Sequence, residues 1–129
     1  MTPAPAPSAK VFFLIRLAMT VGVITFFAIA WFLQGRGEVP ARPVSSLTAL
    51  TTAMYTAVGI AAAVVMALKL RISSAEPAMR RSLSVVAWAV GEFAALFGGV
   101  MVLLAGDLRL ALPGALVFAL ALAAVRIPE

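Results

Sequence analysis

The stretch SLSVVAWAVGEFAALFGGVMVLLA, residues 82–105, decides the fold class of this chain. It holds a single charged residue, Glu92, among apolar and small residues. A helix needs about 20 mostly apolar residues to cross the hydrocarbon core of a bilayer, and this stretch is long enough. It therefore predicts a transmembrane helix that carries one carboxyl group inside it.

The composition extends this prediction to the whole chain. The 129 residues are 64% hydrophobic and 12% charged, and the mean hydropathy is +1.10. Soluble domains are about 45–50% apolar and about 25% charged, so we expect the lipid bilayer to be the main partner. The formal charge of +5 is attributed to membrane topology, and no nucleic-acid partner is expected.

The chain contains no Cys and no His. Disulfides and the usual zinc and haem ligand sets are thereby excluded, and the most common general base is missing. The remaining acids are scattered among the predicted loops and the tail. We therefore predict no metal site, no cofactor and no enzymatic activity.

Four apolar segments predict an all-α fold, a membrane-embedded bundle of four transmembrane helices that forms a single domain over residues 11–126. The predicted helices cover residues 11–33, 46–68, 82–105 and 108–125. Residues 1–10 are rich in Pro and Ala and are predicted to be a disordered cytoplasmic tail. Ser45, Ser46 or Thr48 is expected to cap the second helix, and Pro113 to kink the fourth or mark its first turn.

The first segment could be mistaken for a secretory signal peptide, with AIA at residues 28–30 as the cleavage site. Its apolar run is longer than the usual ~7–15 residues, and Trp31 follows the supposed site. We interpret it as an uncleaved anchor helix. Arg16, near its start, is expected to extend toward the lipid headgroups.

The cations define an orientation. With the N-terminus inside, the inside set is Lys10, Arg16, Lys69, Arg71, Arg80, Arg81 and Arg126, and the outside set is Arg36, Arg42 and Arg109. Short cytoplasmic loops carry an excess of Lys and Arg, so both termini are predicted to be cytoplasmic in a multi-pass protein of the bacterial inner-membrane type. Residues 69–81 are predicted to be a basic loop. Topology alone accounts for its charge, and binding of anionic lipid or an acidic partner is the alternative.

Glu92 lies about 15 Å along the predicted helix from Ser82, near the centre of a ~30 Å core. An ionised side chain there costs on the order of 2.5–3.5 kcal/mol on insertion scales, so we expect a neutral, hydrogen-bonded carboxyl group. The topology places four candidate hydrogen-bond partners at this depth: Thr20, Thr25, Tyr55 and Thr56. Glu92 is then either a proton- or cation-binding group or a polar contact that fixes the helix packing.

Small residues form a second pattern. Gly91, Ala95 and Gly99 repeat on the face next to Glu92, and Ala57 and Ala61 repeat on the preceding helix. Such faces allow close helix approach, either as ordinary bundle packing or as a dimer motif. After the third helix, Asp107 and Arg109 are expected to form a local cap or a surface ion pair.

The run GEFAALFGGVMVLLAG, residues 91–106, resembles the carboxylate helix of the rotary ATP synthase proteolipid, subunit c. The matching features are Glu92, the aromatic Phe97, Gly98 and a Val/Leu run. Small residues alternate on the preceding helix, so the resemblance covers residues 53–106. It implies that Glu92 is a proton-binding carboxylate. The Arg-Gln-Pro type loop of that family is absent, and the first and fourth helices have no counterpart in it.

Short loops, a single buried acid and the lack of a catalytic set predict a non-catalytic accessory or structural subunit of a membrane complex. Its expected partners are other membrane-protein subunits or further copies of the chain. The alternative is a proton- or cation-linked membrane component that uses Glu92.

Overall fold

A computed structural model describes residues 8–37 and 40–127. In this part of the chain all regular structure is helical, which confirms the predicted all-α class. The helices are α1 (Ala9–Gly35), α2 (Thr48–Ser73), α3 (Pro77–Ala105) and α4 (Leu112–Ala124), with 3₁₀ turns at Val44–Leu47 and Leu108–Ala111. Three of them, α1, α2 and α3, are long and apolar enough to cross a membrane, whereas α4 and its 3₁₀ turn form a shorter apolar segment.

The third helix is the centre of the bundle. It packs against α1, α2 and α4, whereas α1 and α2 make little contact with each other. The α2 side of α3 presents Val90, Phe97 and Met101 to the core. Between that side and α1, part of the α3 surface stays uncovered. This open face consists of Ala89, Phe93 and Val100, and the half-buried Leu96 lies at its border with α1.

Helices α3 and α4 approach closely through glycine. A Cβ atom placed on Gly114 of α4 would lie 2.2 Å from the carbonyl oxygen of Ala94, well inside van der Waals contact. On the other side of the interface, a Cβ atom on Gly91 would lie 2.8 Å from the Cβ of Ala121. The missing side chains let the two backbones touch, which is how apolar helices gain dispersion contacts.

The helices alternate in direction. Phe12 at the start of α1, Ile72 at the end of α2 and Val125 after α4 belong to one hydrophobic cluster. At the other end of the bundle, Ala30 packs with Val102 and Ala111. The first and last described residues therefore lie at the same end. We call it the basic end, because its helix termini carry the cations predicted to lie inside: Lys10, Arg16, Lys69, Arg71, Arg80, Arg81 and Arg126.

The predicted basic loop at residues 69–81 is wrong in extent. Helix α2 continues to Ser73 and α3 begins at Pro77, so only residues 74–76 connect them. Lys, Arg, Ala and Met are good helix formers, so both helices can continue beyond the apolar run. Pro77 occupies the first turn of α3, where its missing N–H removes no helical hydrogen bond. The cations thus lie on helix ends.

The helix starts also differ from the predictions. Helix α1 begins at Ala9, inside the predicted tail of residues 1–10, and residues 1–7 of that tail lie outside the described residues. The predicted hydroxyl cap of α2 is not made. Instead, Ser46 and Thr48 each donate to a backbone carbonyl three residues earlier, and a 3₁₀ turn leads into the helix. Pro113 lies in the first turn of α4, as one predicted alternative had it.

Candidate functional site

The carboxyl group of Glu92 lies midway along α3, on the side that faces α1. A Cβ atom on Gly22 would lie 4.0 Å from Glu92 Oε1, so the carboxyl group is beside the α1 backbone at this glycine. The side chain is half-buried, and the exposed Phe93 follows it on the open face. Glu92 therefore lies at the edge between the α1–α3 interface and the open face.

Glu92 makes no hydrogen bond and no ion pair within residues 8–37 and 40–127. Of the four predicted partners, Thr20 donates to the backbone carbonyl of Arg16 at 2.8 Å. Thr25, Tyr55 and Thr56 are exposed. In this part of the chain, none of the four forms a hydrogen bond with the carboxyl group.

Tyr55 and Thr56 do not reach the carboxyl group because of how helix α2 is rotated about its axis. Helix α2 turns Met54, Val58 and Ala61 toward α3, and these residues are buried in the core. Tyr55, next to Met54, consequently points away, with 51% of its surface exposed. The depth of a residue follows from its position along the helix. Its direction depends on packing, which an apolar helix does not encode in its sequence.

The open face next to Glu92 is apolar. Phe93 on this face packs edge to face with Phe97 on the α2 side of α3, with ring centroids 6.3 Å apart and planes at 86°. A groove of about 300 Å³ runs along α3 toward α2. Its lining includes Leu50, Phe93, Leu96, Phe97, Val100 and Met101. The arrangement offers an apolar surface with one carboxyl group at its border.

The predicted small-residue face is occupied within the chain. A Cβ atom on Gly91 would meet Phe118 and Ala121 of α4, whereas one on Gly99 would lie 2.4 Å from the Phe26 ring of α1. Ala95, between them, is buried in a cluster with Val23 and Phe118. On α2, Ala61 is buried against α3 and Ala57 is half-buried. These contacts are those of ordinary bundle packing.

A cluster that was not predicted from the sequence joins three helices at the basic end. Arg16 Nη2 of α1 donates to the backbone carbonyl of Leu122, and its guanidinium carbon lies 5.3 Å from the centroid of Trp88. Trp88 Nε1 in turn donates to the carbonyl of Val125 at 2.9 Å. Phe12 packs edge to face on the indole, at 6.4 Å between centroids. We call these five residues the cap cluster.

The cap cluster supplies hydrogen-bond donors to backbone carbonyls at the carboxyl end of α4, because the last carbonyls of a helix lack partners within it. A cation at that end is also favoured by the helix dipole. Arg16 was expected to extend toward the headgroups, and instead its guanidinium turns inward onto α4. Sequence spacing gives no signal for this contact, since the bonded residues are 106 positions apart.

The opposite end of the bundle is closed by polar contacts to α3. Gln34 Nε2 donates to the carbonyl of Leu103, and the backbone N–H of Arg42 donates to that of Leu104 at 2.9 Å. Gly106 ends the helix with φ of 70°, a left-handed conformation that favours glycine. These contacts tie the end of α1 and the following loop to the end of α3.

Asp107 and Arg109 form the predicted local cap and ion pair. The Asp107 carboxylate accepts from the Arg109 backbone N–H at 3.0 Å and from its guanidinium Nε and Nη2 at 3.1 Å. The side-chain hydrogen bond from Arg109 holds the pKa of Asp107 below its ordinary value of 3.8. The same bond raises the pKa of Arg109. The pair lies at the surface, so its role is local.

Among residues 8–37 and 40–127, no three His, Cys, Asp or Glu side chains come together as metal ligands would. Comparison of the chain with models of known protein families, with curated proteins and with solved structures finds no match. The resemblance of residues 53–106 to the proteolipid subunit c therefore stays a prediction. The described residues form an all-helical structure, in which three helices are long and apolar enough to span a membrane.

Proposed function

We propose that this protein is a non-catalytic accessory subunit of a membrane complex, embedded in a membrane of the bacterial inner-membrane type. Both termini would lie in the cytoplasm, because the cations gather at the end where the first and last described residues meet. The exposed apolar side chains of α1 and α2 would then face lipid. In this setting the open face of α3 is a surface available to a partner.

The observation that carries the proposal is the position of Glu92 at the edge of that open face, without a partner in the described residues. In a bilayer, an ionised carboxyl group at mid-depth costs on the order of 2.5–3.5 kcal/mol on insertion scales. A hydrogen bond across a helix interface offsets part of this cost. An additional helix on the open face would supply that bond and cover the apolar groove.

The proposed occupant is a transmembrane helix of another subunit that carries a Lys or Arg at the depth of Glu92. Charge complementarity supports this choice, because the middle of the described helices carries no cation. The cations of the chain lie at helix ends or in loops, and Arg16 is bonded to Leu122. A second copy of this chain therefore has no mid-depth cation to offer to the carboxylate.

The proposal is tested by site-specific photo-crosslinking in the native membrane. A benzoyl-phenylalanine residue at position 93 should give one adduct of defined mass, and that adduct should be lost when Glu92→Gln is added. Position 24 is the matched control, because Ile24 on α1 is as exposed as Phe93, 62% against 59%. Equal adduct yields at positions 93 and 24 would contradict the proposal. So would an adduct at position 93 whose yield is unchanged by Glu92→Gln.

A second candidate function is a proton- or cation-linked role for Glu92. It is favoured by the half-buried carboxyl group beside the α1 backbone at Gly22, which has no hydrogen bond or ion pair in the described residues. The resemblance to the proteolipid hairpin supports the same role. Carbodiimide labelling of Glu92 that decreases as pH rises would support it. Unchanged growth and membrane energisation in a Glu92→Gln strain would speak against it.

A further inference from the structure

A cavity of about 340 Å³ lies at the basic end, where three helices meet. It is bordered by the last turns of α2, the first turns of α3 and the residues that follow α4. Its lining includes Lys69, Ser73, Arg80, Ser84, Val125 and Arg126. The cavity thus receives one cation from α2, one from α3 and one from the residues after α4, and among the described residues its lining contains no acid.

The three cations are available to a ligand. Lys69 and Arg126 make no hydrogen bond and no ion pair in the described part of the chain. Arg80 donates through Nη2 to the carbonyl of Ala75 at 3.2 Å, and its other N–H groups have no partner there. The three cations repel each other in one cavity. A bound anion attracts all three and so offsets that repulsion.

The hydroxyl groups of the lining are already engaged. Ser73 Oγ donates to the carbonyl of Leu70 at 2.6 Å, and the fully buried Ser84 donates to that of Arg80 at 2.8 Å. The side-chain hydrogen-bond donors left for a ligand are therefore all charged. Ammonium and guanidinium groups together are the donors that bind phosphate oxygens in proteins.

We propose that this cavity binds a phosphate group, held by Lys69, Arg80 and Arg126. The inner wall is apolar, because Ile72 and Val125 belong to the hydrophobic cluster at this end. In the proposed topology the cavity lies at the cytoplasmic interface, where basic pockets between helices bind anionic lipid headgroups. Phosphate of an anionic phospholipid and free inorganic phosphate share this chemistry. The inference does not depend on a partner at Glu92.

The test is native mass spectrometry of the purified full-length protein, titrated with phosphatidylglycerol, phosphatidylcholine or inorganic phosphate. The variant K69Q/R80Q/R126Q removes the three cations of the cavity. The matched control K10Q/R71Q/R81Q removes the same charge from the same end of the bundle without changing the residues that line this cavity. Circular dichroism and thermal unfolding establish that both variants fold.

We expect phosphatidylglycerol to bind the wild type and the control alike, and to bind the cavity variant at least tenfold more weakly. Arg126 lies after the end of α4, and the single variant R126Q should show a smaller loss of phosphatidylglycerol binding. Inorganic phosphate that competes with phosphatidylglycerol, or that binds alone with the same dependence on the cavity, supports a phosphate site. Equal losses in the cavity variant and the control, preference for phosphatidylcholine, or no binding of either phosphate source to the wild type would overturn it.

Discussion

Arg16 in α1 donates a side-chain hydrogen bond to the backbone carbonyl of Leu122 in α4. The bond crosses the bundle at the basic end and connects the first described helix to the last. The α-helical part of α4 has only 13 residues, and helices this short are marginal without tertiary contacts. The cap cluster therefore adds a contact that helps to hold the carboxyl end of α4 in place.

Replacing Arg16 by Leu should destabilise the folded bundle. The variant removes a charged donor from a partly buried carbonyl, and hydrogen bonds to charged groups contribute about 1.5–3 kcal/mol. We expect a lower midpoint of thermal unfolding in detergent than for the wild type. Arg71→Leu is the control, because Arg71 is exposed at the same end of the bundle. Equal midpoints for Arg16→Leu and Arg71→Leu would show that the cap cluster does not stabilise α4.

The close approach of α3 and α4 predicts that Gly114→Ala is strongly unfavourable. The added methyl group would lie 2.2 Å from the Ala94 carbonyl oxygen, so the two backbones must separate. Overpacking of this kind typically costs about 1–3 kcal/mol.

Gly59→Ala is the matched control for this substitution, since nothing lies within 4 Å of the added atom. Removing an exposed glycine from a helix should be neutral or stabilising by up to about 1 kcal/mol. The measurement is the yield of monodisperse protein and its unfolding midpoint. A Gly114→Ala protein as stable as Gly59→Ala would mean that α3 and α4 do not pack as described.

Asp107 predicts a small pH dependence of stability. Arg109 lowers the pKa of the Asp107 carboxyl group below 3.8, its value in the unfolded chain. The stabilisation is therefore fully present above about pH 3.8 and is lost as pH falls through the lower pKa of the folded protein.

Asp107→Asn should lower the unfolding midpoint slightly at pH 6, and by less than Arg16→Leu does. The difference from the wild type should shrink when both proteins are measured below the folded pKa. Because the pair lies at the surface, added salt should reduce the difference as well. A difference that grows as the pH falls would have the wrong sign for this ion pair.

The fold class was predictable because it depends on composition and on segment length. Residues 82–105 are apolar enough to predict α3. The positions of the cations along the chain predict which helix ends lie together at the basic end. The extent of α2 and α3 was harder to predict. Lys69 and Arg80 lie in a stretch that reads as a polar loop, although both residues favour helix.

For the candidate site, only the position of Glu92 along its helix could be predicted. Glu92 lies near the middle of α3 as expected, but the direction of its carboxyl group depends on which face of α3 meets α1. Helices that are apolar on every side carry no such information. For the same reason the contact of Arg16 with Leu122 could not be predicted, since it joins distant parts of the chain through packing.

The native mass of the tagged protein, extracted from its own membrane in a mild detergent, shows directly whether the chain is a subunit of a larger complex. We expect a complex of one chain with a larger membrane protein for the wild type and for Glu76→Gln, which removes an exposed acid. In Glu92→Gln the mass should fall to that of the chain alone. A wild-type chain that runs alone, or as a ring of many copies, would contradict the accessory-subunit account.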